Sequence, residues 1–597
     1  MDRETAMHSS AQSVLSPAQR DAAWQALVGI RHDVLVIGGG VTGAGVALDA
    51  ATRGLDVALV EARDFASGTS SRSSKLFHGG LRYLEMLDFA LVREALHERD
   101  LMLSKLAPHL VTPVPFLYPL KHRGWERPYV GAGLMLYDAL AGRSPMPRHR
   151  HLSKQRALRS APALRPDALA GALRYYDAAT DDARHTLTLV RTAAAYGAVV
   201  RSSTEVTGLV VEDGRVVGAE VRDVENGRTG TVRAGVVIGC AGVWSDELHR
   251  MAGVPSPFRV RASKGVHILV PRDRIDSSTG LILRTEKSVL FVIPWGEHWV
   301  VGTTDTPWDL ELEHPAATRA DIDYILERVN SVLRMPLTDD DIVGVYAGLR
   351  PLLAPADAGA GGAATTKLSR EHQVARALPG LVTIAGGKYT TYRVMAKDAV
   401  DASVDDVESS NPLRRVPDSV TEEVPLLGAA GLAAVRNSAD SIAARYAIPA
   451  GNVQRMISRY GDLLEEVLSA IDANPELALP VPGAPAYLGA EIAYAITHEG
   501  ALHLDDVLTR RTRISVDTAH RGQDSVDAVA AIAAPLLGWT PDEQSAEVAA
   551  YLQRVAQERA SQRALQDEAA QRARSQAPDP RRRGRSGDST YSSSAAS

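Results

Sequence analysis

The stretch SSKLFHGGLRYLE (73–85) gathers Lys75, His78 and Arg82 around the pair Gly79-Gly80, and three more chemically capable residues stand far downstream. His267 lies in KGVHILV, Arg350 in GVYAGLRPLL and Lys388 in AGGKYTTYR. An arginine fork grips phosphate or carboxylate through two hydrogen bonds, whereas a lysine acts as a point charge. Histidine titrates near neutrality and can take a proton from a reacting hydroxyl. Each of these cations follows a strand end or a glycine turn, where α/β proteins place ligands. Elsewhere a lone arginine would read as a surface ion pair and a strand histidine as a packed residue. The serines Ser70, Ser71 and Ser74 add hydroxyls that can hold a phosphate or simply shape a turn. No His/Cys/Asp cluster has metal-ligand spacing, so no metal is expected.

The elements that must position these groups begin at residue 32. HDVLVIGGG is an apolar run ending in glycines, VTGAGVALDAATRG carries small residues at helical spacing, and LDVALVEA is a second buried strand. This is a β-α-β unit of a parallel nucleotide-binding sheet. Gly38, Gly40 and Gly43 spell GxGxxG at the strand-to-helix junction. The first turns the chain, the second admits a pyrophosphate to the backbone, and the third lets helix and strand pack closely. Glu61 follows 18 residues after Gly43, where an acid grips the adenosine ribose, and an acid there disfavours a 2′-phosphate. Two distant junctions favour FAD over NAD. GVVIGCAGVWSDEL (235–248) brings Gly242, and LVTIAGGKYTTYRVMAKDAV (381–400) brings Gly386, Gly387, Lys388 and Thr390. A helix N-terminus after Gly386-Gly387 can face the flavin pyrimidine and favour the charge of the reduced ring.

At 597 residues the chain has room for two or more domains, and its formal charge of −6 gives no global argument for nucleic acid. One cysteine, Cys240, excludes a disulfide framework and fits a reducing compartment. Residues 1–30 read as a polar leader without a secretory signal, in which Ser16-Pro17 starts a short helix. Residues 31–405 read as a flavin-binding domain interleaved with antiparallel strands, including a meander with Asp213-Gly214 and Asn226-Gly227 turns. A linker at 406–425 leads to a region of helices only at 426–560. The Arg/Ser/Pro-rich tail, 561–597, reads as disordered.

Taken in order, GGGVTGAGVALDAATRG…SSRSSKLFHGGLRYLE, VVIGCAGVWSD, SKGVHILV, YAGLRPLL, LSREHQV, AGGKYTTYR and the C-terminal LGAEIAYAITHEGALHLDDVLTRRTRIS resemble the FAD-dependent glycerol-3-phosphate dehydrogenases over residues 31–555. The resemblance implies a p-hydroxybenzoate-hydroxylase-like FAD domain, a substrate-binding antiparallel sheet and an all-α C-terminal domain. It implies oxidation of sn-glycerol 3-phosphate to dihydroxyacetone phosphate, with electrons passed to membrane quinone. It places Arg82, Tyr83, Arg350, Lys388 and His267 at the substrate, with His267, Arg350 and Lys388 as the catalytic set. On the cofactor side it places Ser70, Ser71, Ser74, Lys75, His78, Gly79 and Gly80, and Arg370 and His372 line the entrance. Cys240 departs from the pattern, which would have alanine or threonine there.

Residues 121–160 carry nine Lys/Arg against two acids, interleaved with Trp125, Tyr129, Leu134, Met135, Leu136 and Tyr137. That mixture suits an anionic bilayer surface as well as it suits a solvated helix face. With a hydrophobic quinone as acceptor, the expected seat is cytoplasmic, on the inner face of the cell membrane, with a homodimer possible. An oxidase using O2 on the same substrate, an amine or hydroxy-acid oxidase of the same fold, and a flavin-fold scaffold without turnover stay open on these residues.

Overall fold

A computed structural model of the chain describes residues 13–80, 88–122, 124–285, 289–354, 371–411 and 413–582. Arg82, Tyr83 and Arg370 lie outside the described residues.

The nucleotide sheet is built as the apolar runs dictate. Strand Arg31–Ile37 pairs in parallel with Val57–Val60 on one side and Thr229–Gly239 on the other. Val199–Arg201 and Leu381–Gly386 extend the parallel array, and His372–Leu378 closes one edge antiparallel. The helix Val41–Thr52 covers one face, and its alanines and glycines admit Asp182–Ala195 and Tyr392–Asp401 closely against it. The meander is present: Asp213 (φ 48°) and Gly214 (φ 75°) supply the two left-handed residues that a tight hairpin needs.

A second, largely antiparallel sheet forms the substrate side. Its spine is Arg259–Pro271 against Gly344–Ala354, in a register that sets His267 opposite Tyr346 and Ser263 opposite Arg350. His298–Gly302 pairs along the other edge of Arg259–Pro271.

The C-terminal region is mainly helical, but it contains a small hairpin, Pro480–Val481 with Ala484–Leu488, where helices alone were expected. Gly483 (φ 76°) makes that turn. The helix expected over LGAEIAYAITHEGAL ends at Thr497, ahead of Gly500 (φ 67°).

Three segment boundaries need correction. From residue 13 the N-terminal leader is a folded part of the flavin domain: helix Pro17–Gly29 is capped by Ser16, and Trp24 and Leu27 are buried on the sheet. Arg201 and Arg228 stack on the Trp24 ring at 5.0 and 4.5 Å. The linker is core too, since Val407 and Val424 are buried with the flavin-domain cluster. The tail folds at least to residue 582: Asp567–Arg574 is a helix, and Arg581 is buried against Asp506 (2.7 Å). Composition measured the lack of apolar residues there, but the fold seats tail arginines on buried carboxylates.

Candidate active site

The cofactor cradle is a backbone construction. A Cβ on Gly43 would stand 1.9 Å from the Gly38 carbonyl oxygen, and one on Gly38 (φ 110°) would stand 2.6 Å from that of Cys240. Gly40 is the N-cap of Val41–Thr52 and has no side chain to obstruct it. Val41 N–H donates to Ser70 Oγ (2.9 Å), which puts this serine at the helix N-terminus where a pyrophosphate is held. Glu61 directly follows the strand Val57–Val60, with both carboxylate oxygens bound by backbone, from Gly39 N–H (2.7 Å) and Arg63 N–H (2.9 Å). Burial pushes Glu61 upward, and those two donors resist the rise. Glycine cradle, helix N-terminus and fixed acid together fit the ADP half of FAD.

The flavin end is tied together across the chain. His78 N–H donates to Thr390 Oγ1 (3.2 Å), and Gly79 N–H donates to Tyr137 Oη (2.9 Å). Gly80, Gly242, Gly386 and Gly387 all adopt positive φ (75°, 58°, 78° and 82°), so backbone approaches closely at both junctions singled out in the sequence. Lys388 follows directly, at the start of the turn Tyr389–Thr391.

His267 and Arg350 occupy neighbouring strands. The His267 ring stacks on Tyr346 (4.9 Å, 16°), and its Nε2 meets Ser74 Oγ at 2.9 Å. Burial, Arg350 and Lys75 all push His267 well below its ordinary value, so the free site holds a neutral imidazole. Arg350 lies across the strand with Nη2 on Thr303 Oγ1 (3.1 Å) and Thr304 O (3.2 Å), and Nη1 on Asp305 (3.4 Å). Gly265 makes that pose possible, because a Cβ there would reach within 2.6 Å of Arg350 Nη2. Gly265, Thr303, Asp305 and Tyr346 were not singled out by sequence reading. The register Gly265–Gly348 is their only signal, and it exists only once the strands pair.

The loop 70–75 divides. Ser70 and Ser74 serve the cradle and His267, whereas the Lys75 ammonium is committed to Asp182 (2.8 Å) and Ser71 offers its carbonyl to Lys75 and Arg513. The assignment of the Lys75 side chain to the cofactor is therefore corrected. A buried cation requires a carboxylate partner, and Asp182 supplies it. His372 pairs with Asp398 (2.9 Å). Among the described residues, the metal-like groups Glu313, His314 and Asp579 converge, but Arg63 pairs with both acids and donates to the histidine (3.2 Å).

The cradle defines a class. The FAD dependent oxidoreductase family matches residues 33–393, and the C-terminal domain of alpha-glycerophosphate oxidase matches residues 419–544. Glycerol-3-phosphate dehydrogenase 2 of Mycobacterium tuberculosis (strain ATCC 25618 / H37Rv) is 56% identical over 95% of this chain and 96% of its own. The mitochondrial glycerol-3-phosphate dehydrogenase of Homo sapiens is 36% identical over 85% of this chain and 71% of its own. Among solved structures, the glycerol-3-phosphate dehydrogenase from Bacillus halodurans complexed with FAD superposes with a TM-score of 0.74 at 31% identity, covering 90% of this chain and 97% of that one. This chain belongs to the FAD-dependent glycerol-3-phosphate dehydrogenase family.

Proposed function

We propose that the chain oxidises sn-glycerol 3-phosphate to dihydroxyacetone phosphate and passes the electrons to a membrane quinone. FAD, when bound in the glycine cradle, supplies the acceptor for the hydride that leaves C2. Arg350 and Lys388 bind and orient the phosphate, with Arg82 and Tyr83 assigned to the same task by family likeness. His267 takes the C2 hydroxyl proton at Nε2, the nitrogen that Ser74 Oγ holds in the free site. Its depressed basicity is suited to this order of events. Burial is the largest cause of that depression; the repulsion from Arg350 that adds to it is what a phosphate dianion would offset, so substrate binding raises the basicity part of the way.

The observation that carries this reading is the placement of a neutral buried histidine and a pre-oriented arginine on adjacent strands beside the flavin-end glycines. Reductive titration tests it. With oxygen excluded, sn-glycerol 3-phosphate should bleach the bound flavin in the wild type, and Arg350→Ala should require far more substrate. An unchanged titration midpoint in that variant would remove the arginine from the site.

Electron delivery to a quinone calls for a membrane seat. Trp125, the N-cap of helix Glu126–Ala141, and Tyr129, Met135 and Leu136 along it are exposed, whereas Arg127 turns inward to the Leu152 carbonyl (3.0 Å). Trp125 is 59% and Met135 59% exposed, an apolar stripe that favours shallow insertion at a bilayer surface. No described helix is long and apolar enough to cross a membrane. We place the enzyme peripherally on the inner face of the cell membrane, where vesicle flotation with anionic lipid tests it. If oxygen reoxidises the reduced enzyme as fast as it turns over, the O2-using alternative replaces the quinone.

A further inference from the structure

Beneath the folded tail lies a cavity of about 110 Å³, walled by the loop 63–72, the segment around His314, the helical domain and the tail helix Asp567–Arg574. Eight arginines and lysines line it against four carboxylates. Those acids are already engaged: Asp505 with Arg510 and Arg554 (both 2.9 Å), Glu558 with Arg554 (2.9 Å), Asp579 with Arg63 (3.6 Å) and Glu547 with His503 (3.2 Å). Arg72 is left over. Among the described residues its guanidinium has neither a carboxylate at ion-pair distance nor a hydrogen bond. Burial pushes it down to about 9, and Arg574, Arg63 and Arg510 add repulsion. Arg574, arriving from the tail, reaches among the described residues one carboxylate, Glu558, at 3.6 Å.

A neutral donor faces the same space. Arg63 donates to His314 Nε2 (3.2 Å), which leaves the ring proton on Nδ1, and this buried N–H has no partner among the described residues. Burial and then Arg63, Arg574 and Arg72 hold His314 well below its ordinary value, so a proton does not enter to add another charge. Surplus guanidinium and an unsatisfied N–H around a partly open cleft are the complement of an oxyanion. At roughly 10–15 Å³ of such space per water, the cavity has room for a tetrahedral oxyanion together with several waters.

We propose that this cavity is a phosphate-type oxyanion site, separate from the substrate site, in which Arg72, Arg574 and His314 Nδ1–H clamp the anion and so fasten the tail over the loop that carries Ser70 and Ser74. The proposal does not rest on the assignment of Arg350 and Lys388.

The test is the thermal midpoint of the flavin-loaded full chain with and without inorganic phosphate, using glucose 6-phosphate as the bulkier ester. Phosphate should raise the wild-type midpoint by several degrees. Arg72→Gln and Arg574→Gln should each lose most of that rise, while Lys388→Ala keeps it. In phosphate-free buffer Arg72→Gln should melt no lower than the wild type, because the change relieves repulsion. A rise with glucose 6-phosphate that also depends on Arg72 would make the ligand a phosphate ester of the same chemistry. The proposal is overturned if Arg72→Gln and Arg574→Gln keep the full rise, if Lys388→Ala abolishes it, or if Arg72→Gln melts lower without phosphate.

Discussion

The flavin cradle and the seam between the flavin domain and the helical domain are held by opposite means. The cradle is nearly chargeless: glycines, backbone N–H groups and one acid define it, and close approach of main chain to main chain is its working principle. The seam is almost all charge. Asp64 takes Arg511 through two bonds (2.6 and 2.8 Å) and Arg510 as well, and all three are buried. Asp182 joins Lys75 and Arg513, and Asp181 joins Arg513 (2.7 Å) and Arg459 (3.0 Å). Although burial pulls the other way, Arg513 and Arg459 hold Asp181 far below the usual carboxylate range. One region tolerates no added atom, and the other tolerates no removed charge.

The contrast is sharpest when it is broken. Gly43→Val should abolish flavin binding, since even a Cβ meets the Gly38 carbonyl at 1.9 Å; the purified protein would be colourless, and a retained flavin spectrum would refute the cradle. Asp64→Ala should cost about 3–5 kcal/mol of unfolding free energy, because it strands Arg511 in the interior and takes from Arg510 one of its three carboxylate partners. Urea unfolding measures that loss, and the protein that remains folded should still carry flavin. Arg350→Ala belongs to neither region: it should lower kcat/KM by roughly 10–100-fold, the worth of one or two charge-assisted hydrogen bonds, with flavin content and stability nearly unchanged.

A smaller effect separates the seam by pH. Burial and Arg581 lower the His503 value, but Glu225 (3.1 Å) and Glu547 (3.2 Å) outweigh them and hold it up to about 9. A folded value above the unfolded one stabilises fully below about pH 6.5 and loses that contribution as pH rises through about 9. Its partner Glu225 is held at about 2, so its contribution is complete above about pH 4.5 and is lost as pH falls toward 2. His503→Gln should flatten the alkaline decline of the thermal midpoint and leave flavin affinity alone. The smallest effect is expected at the exposed stripe: Trp125→Ala with Met135→Ala should weaken vesicle binding while turnover with a soluble quinone analogue stays within about twofold, as a few apolar contacts allow.

What was legible in the sequence follows the same division. The cradle is local, so Gly38, Gly40, Gly43 and Glu61 could be read from spacing within one β-α-β unit. His267, Arg350 and Lys388 were found as chemically suited residues after strands or glycine turns. Their relation to Tyr346, Thr303 and Gly265 came only from strand register. The seam was invisible, because Asp64 and Arg511 are 447 residues apart and each alone reads as a surface charge. The tail misled for a related reason. A composition poor in apolar residues predicts disorder when burial must come from hydrophobic contact, but Arg581 is buried through ion pairing with Asp506.

The central claim is that the cradle and the strand pair His267–Arg350 form one site for flavin reduction by a phosphorylated secondary alcohol. The most direct measurement is the anaerobic flavin spectrum as sn-glycerol 3-phosphate is added. The account predicts stoichiometric bleaching by this compound, none by glycerol or by amino acids at the same concentration, and loss of bleaching in His267→Asn with flavin still bound. Bleaching by an amine or a 2-hydroxy acid instead, or full bleaching in the His267 variant at the wild-type rate, would contradict it.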